Sequence, residues 1–98
     1  MRIIINHSSM IPIYEQIVDQ IKKQINDHIL QENDPLPSVR LLSKELRISA
    51  LTVKKAYDTL EEAKKEIEEY LEKALQKAKQ SGVSHKEVKE LLELLMEE

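Results

Sequence analysis

Apolar residues recur at helical spacing along most of the chain, and the breaks in that rhythm divide it. Ile13, Ile17, Ile21, Ile25 and Ile29 stand four apart, flanked by Tyr14 and Val18, with Glu15, Asp19, Lys22, Lys23 and Asp27 at intervening polar positions. This predicts an amphipathic helix from Pro12 to about Leu30. Pro12 suits a first helical turn, with Ser8, Ser9 or Met10 near the cap. The isoleucine stripe reads as core in preference to a partner-binding face. Before it, Arg2-Ile3-Ile4-Ile5 is β-branched and short. A lone strand is not stable by itself, so this segment is either an edge strand or an arm packed on another subunit.

After a polar loop, Gln31 to Pro35, the period returns in two shorter pieces. Pro37 holds Leu36 extended and Ser38 is a candidate N-cap. Val39, Leu42 and Leu46 then share one face, Arg47-Ile48 interrupts, Ser49 caps again, and Val53, Ala56, Tyr57 and Leu60 form a second buried face. Two short helices joined by a tight turn, the second opening with small polar residues and carrying lysines, suit a helix-turn-helix that lays its second helix in the DNA major groove.

From Ala50 to Gln80 no helix breaker occurs, and Leu60, Ala63, Ile67, Tyr70, Leu71, Ala74, Leu75 and Ala78 prolong the stripe. One continuous helix over about 50–80 is predicted, with Glu61–Lys65 and Glu69–Lys73 as supporting pairs. Gly82, the chain's one glycine, stands where a left-handed cap is wanted, and Ser84-His85-Lys86-Glu87 is a capping box opening a last helix with Val88, Leu91, Leu92 and Leu95 inside. The short link makes a helical hairpin whose apolar stripe exceeds what one hairpin can bury. Ile67, Tyr70, Leu71, Ala74, Leu75, Leu91, Leu92 and Leu95 are therefore the candidate dimerisation residues, serving a homodimer.

Charge sharpens the division. The whole chain carries −3, which is unpromising for a nucleic-acid ligand, but the excess is local: residues 1–60 hold eight Lys and Arg against seven Asp and Glu, residues 61–98 seven against eleven. From Arg40 to Lys55 the positives are Arg40, Lys44, Arg47, Lys54 and Lys55 against Glu45 alone. Two domains follow, a DNA-binding 1–60 and a helical dimerisation segment 61–98. A chain of 98 residues without cysteine has no disulfide framework, and neither a membrane span nor a secretory leader is evident. Acidic polar faces from Glu61 onward argue against a lipid surface. His7, His28 and His85 are scattered, no phosphate-cradling loop is present, and no metal, cofactor or enzymatic activity is expected.

The stretch DPLPSVRLLSKELRISALTVKKAYDTLEE, with IPIYEQIVDQIKKQI before it, resembles the DNA-binding domain of the GntR family of bacterial transcription regulators, in particular its small YtrA-like branch. The resemblance covers roughly residues 3–62. It implies a cytoplasmic dimeric regulator, a repressor by family habit, on a palindromic operator. It places Arg40 on the family's DNA-contacting arginine, Ser49 and Thr52 on small hydroxyl positions of the recognition helix, and Lys54 on a basic contact, with Lys55 beside it. Ser38 is a candidate for holding a phosphate. Ala50 and Leu51 depart from the family's usual arginine and polar residue; leucine offers only apolar contact, for example to a thymine methyl. The family also carries a glycine near Asn33, a turn that asparagine tolerates.

The largest departure follows Leu60, where the family has a glycine and two wing strands and this chain has Glu61-Glu62-Ala63-Lys64-Lys65-Glu66-Ile67. The fold expected is mainly α: a helix-turn-helix of winged-helix ancestry without its wing, natural or engineered, then a C-terminal hairpin. The alternative function is a helical homodimer acting as a scaffold, with weak or no DNA binding.

Overall fold

A computed structural model describes residues 1–31 and 34–97; the turn expected at Asn33 lies outside them. It contains helices α1 (Ile13–Asn26), α2 (Val39–Leu46), α3 (Ala50–Ser81) and α4 (His85–Met96), and no strand among the described residues. The protein is mainly α, and the segment after Leu60 continues as α3, as the unbroken apolar period predicts. The chain divides into two compact units, Met1–Glu62 and Ala63–Glu98.

The first unit closes on a small core of Ile3, Ile17, Val18, Ile21, Leu30, Leu42, Val53 and Ala56. Ile17, Val53 and Ala56 are fully buried, and Ile13, Val39, Leu46, Ile48, Tyr57 and Leu60 pack around them. Burial of each large aliphatic side chain here contributes roughly 1.5–3 kcal/mol.

The isoleucine stripe continues in sequence beyond the helix that carries it. α1 ends at Asn26 rather than near Leu30, so Ile25 and Ile29 are exposed and Leu30 turns inward instead. The cause is a left-handed His28 (φ 59). Around it the Ile29 N–H donates to the Gln24 carbonyl at 2.9 Å and the His28 N–H to the Ile25 carbonyl at 3.1 Å, a Schellman ending built on histidine. At the other end Pro12 is itself the cap residue, and Ser9 turns its hydroxyl to the Ile11 N–H at 3.1 Å.

The N-terminal segment is neither a paired strand nor in need of a second subunit to satisfy it. It is an extended arm laid along its own α1 and held by three glutamines spaced four apart. Gln20 accepts from the Ile4 N–H at 2.9 Å and donates to the Ile4 carbonyl at 2.7 Å. Gln16, itself buried, accepts from the Asn6 N–H and donates to the Asn6 and Ile11 carbonyls. Gln24 donates to the Arg2 carbonyl at 2.7 Å, while its Oε1 is buried without a partner. Side-chain amides thus do the work of a neighbouring strand, and Ile3 between two clamps reaches the core.

The second unit pairs the later part of α3 with α4. Gly82 (φ 71) makes the turn, with the Val83 N–H on the Ala78 carbonyl at 2.9 Å, and Ser84 caps α4 by accepting from the Glu87 N–H at 3.2 Å. An alanine at Gly82 would meet no neighbour but would be held in a conformation that costs an L residue about 1 kcal/mol. Glu61–Lys65 and Glu69–Lys73 do not close to ion pairs; Lys73 instead lies 5.9 Å from the Tyr70 ring centroid. Exposed pairs gain little against the entropy of fixing two long side chains.

Candidate nucleic-acid interface

The helix-turn-helix surface is set by what the core takes away from it. Ser38 caps α2 by accepting from the Leu41 N–H at 3.1 Å, and Leu42 anchors the helix inside, which leaves Arg40 on the outer face. Arg47 then adopts a left-handed conformation (φ 55, ψ 46), and the Ile48 N–H closes on the Ser43 carbonyl at 3.1 Å. This tight turn brings Ser49 to the head of α3, where its hydroxyl accepts from the Leu51 N–H at 3.1 Å.

In α3 the buried positions are Val53 and Ala56, so Ala50, Leu51, Lys54 and Lys55 are exposed and Thr52 is half-buried. Leu51 is the conspicuous one, a large aliphatic side chain 78% exposed on the first turn of the helix. Tyr57 fastens α3 to the approach of α2 by donating from its hydroxyl to the Pro37 carbonyl at 2.6 Å. Burial, and secondarily the negative charge of Glu45, raise the Tyr57 pKa above its ordinary value.

The two lysines are not equivalent to bare charges. Lys54 Nζ lies 2.7 Å from an Asp58 carboxylate oxygen, and Lys55 Nζ sits 4.1 Å over the Tyr14 ring. The Tyr14 hydroxyl donates to Glu15 at 3.2 Å, which raises its pKa. Asp58 has no part in the sequence reading, although its spacing of four from Lys54 is the signal that announces it. Arg40 has no carboxylate within 4 Å among the described residues.

Ser38, Arg40, Ser49, Ala50, Leu51, Thr52, Lys54 and Lys55 therefore all lie in the first unit, on α2, at the head of α3 and at the caps before them. Ser38 and Ser49 spend their hydroxyls on capping. Ile67, Tyr70, Leu71, Ala74, Leu75, Leu91, Leu92 and Leu95 all belong to the second unit and are exposed. Several of them line an open apolar hollow of about 630 Å³ between α3 and α4. Among the described residues no cluster of His, Cys, Asp or Glu is placed to hold a metal ion, and no helix is long and apolar enough to cross a membrane.

Comparison with known proteins gives a consistent picture. Residues 13–68 match the pattern of the bacterial regulatory proteins of the gntR family. The chain is 46% identical over 56 residues to the HTH-type transcriptional repressor NagR of Bacillus subtilis, a match covering 57% of this chain and 23% of NagR. It is 44% identical over 57 residues to the B. subtilis HTH-type transcriptional repressor YtrA, covering 58% of this chain and 44% of YtrA. The matched stretch thus spans less than half of either relative. Among solved structures, YtrA from Sulfolobus acidocaldarius, a GntR-family transcription factor, superposes with a TM-score of 0.65 at 31% identity over 97% of each chain.

Proposed function

The chain belongs to the gntR family of bacterial regulatory proteins, and on that premise we propose that it is a cytoplasmic, dimeric DNA-binding transcription repressor. The head of α3 enters the major groove of a palindromic operator, and the second unit joins two copies. The observation that carries this reading is the division of labour within the helix-turn-helix. Leu42, Val53 and Ala56 are consumed by the core, while Arg40, Ala50, Leu51 and Lys54 are left facing outward.

In this reading Arg40 grips the DNA backbone or a base edge through its planar fork. The Ser38 and Ser49 caps fix the helix ends and leave neighbouring amides facing the phosphates. Leu51, without a donor, selects by apolar contact, so the preferred operator differs from that of relatives with arginine at the adjacent position. Lys54 reaches DNA by exchanging Asp58 for a phosphate. The exposed leucines of the second unit meet their counterparts across a two-fold axis, which matches the symmetry of a palindrome.

A second reading, a helical homodimer that serves as a scaffold with little affinity for DNA, draws on the missing wing and the neutralised Lys54. Light scattering with anisotropy titrations on palindromic duplexes at two salt concentrations separates the two. A dimer whose affinity falls steeply with salt, and again with Arg40→Ala, supports the repressor. A dimer that leaves every duplex unbound supports the scaffold.

A further inference from the structure

We infer that the DNA-binding surface extends along α2 as a row of three cations, Arg40, Lys44 and Arg47, with Lys44 and Arg47 acting as positioning residues on the phosphate backbone. This rests on the DNA-binding reading above and goes beyond it: there Lys54 of α3 supplies the charge beyond Arg40, and here the face of α2 does.

The row follows from spacing. Arg40 and Lys44 stand four apart on one side of α2, Arg47 is the residue that ends the helix, and all three side chains are exposed. None has a carboxylate within 4 Å among the described residues. The cations of α3 contrast with them, since Lys54 is held by Asp58 and Lys55 by the Tyr14 ring. Glu45 is the sole acid of α2, and it stands on the side of Tyr57, whose ionisation its charge opposes. The face bearing the row is therefore positive without local compensation. In helix-turn-helix proteins the first helix of the motif crosses the backbone, and each DNA strand offers a phosphate about every 3.4 Å of axis.

Arg47 adds a second observation. Its φ of 55° lies in the region that favours glycine. The turn it makes is closed by the same type of bond as the turn at Gly82, from Ile48 to Ser43 in one case and from Val83 to Ala78 in the other. Glycine would serve the backbone at position 47 better, as it does at 82. His28 also closes a helix without glycine, so the strain alone selects nothing. What sets Arg47 apart is that the strained residue is also the end of the cationic row, two positions before the cap of α3. A residue that lowers stability yet supplies an exposed, planar donor fork fits a binding role.

The test is an anisotropy titration of the full chain over a series of salt concentrations. It uses a labelled duplex enriched by the chain from a random pool and an unrelated duplex of equal length. Arg47→Gly is expected to melt at a higher temperature than the wild type yet bind both duplexes several-fold more weakly. The slope of log affinity against log salt should fall by about 0.9 for each chain bound. Lys44→Gln should do the same to binding without the gain in melting temperature, and Arg47→Lys should restore the slope. Leu51→Ala, by contrast, should lose affinity on the enriched duplex alone. Wild-type affinity and slope in Arg47→Gly and Lys44→Gln, with Arg40→Ala still impaired, would overturn the row while leaving DNA binding intact. Failure of the wild type on every duplex would overturn both.

Discussion

The two units spend their apolar residues in opposite ways. In Met1–Glu62 the large aliphatics converge, and Ile17, Ile21 and Val53 are closed off from solvent. In Ala63–Glu98 the one buried apolar residue among those described is Ala78, while Tyr70 is 69% exposed, Leu91 58% and Leu95 66%. The second unit is poorer in isoleucine, with Ile67 alone, but its six leucines are all exposed, so composition is not what leaves them uncovered. The difference is geometric: three short elements and an arm can surround a centre, whereas two helices side by side present a stripe with one side uncovered. The first unit closes on a core of its own, and the second leaves an apolar stripe uncovered.

The contrast is broken most forcefully by charging the uncovered stripe. The double variant Leu71→Asp with Leu92→Asp is expected to weaken self-association by more than about 100-fold, in the range of hot-spot losses. Sedimentation should then show monomers whose first unit still melts cooperatively. Val53→Ala strikes the other side. It should lower the stability of the first unit by about 1–3 kcal/mol in a denaturant titration, with association through the second unit unchanged.

Smaller effects sharpen the account of the helix-turn-helix. Tyr57→Phe removes the bond to the Pro37 carbonyl and should cost about 1 kcal/mol near neutral pH. Because the folded pKa of Tyr57 is raised, its contribution is present below the ordinary value of 10.0 and lost as pH rises through the folded pKa. The gap between wild type and Tyr57→Phe should therefore narrow in melts above pH 10. Asp58→Asn should change stability by less than about 0.5 kcal/mol, the pair being exposed. It should nevertheless tighten DNA binding a few-fold in a low-salt titration, by releasing Lys54 and removing a repelling charge.

Much of this fold was legible because the signals were redundant. Ser38 and Ser84 are caps by residue type, position and the helix each opens, and Gly82 sits in the one conformation that glycine alone adopts freely. The unbroken α3 was readable from the lack of any breaker, as was the mainly α fold. The end of α1 was not, because the isoleucine period runs on through Ile25 and Ile29 and the turn residue is a histidine. The anchoring of the arm was hidden too. Gln16, Gln20 and Gln24 look like a solvated face until a chain with unpaired amides lies beside them. At the candidate site, exposure could be inferred from the apolar period, but the partners of Lys54 and Lys55 depend on packing between side chains. Asp58 lies within the same helix, whereas Tyr14 comes from a distant part of the sequence.

The central claim, that an unwinged helix-turn-helix reads DNA as a symmetric pair, is tested most directly by selecting duplexes from a fully randomised pool with the intact chain and sequencing those retained. The expected result is an inverted repeat with half-site centres about one helical turn apart, roughly 10 base pairs. A pool that shows no enrichment, or enriches a single unrepeated site, would contradict it.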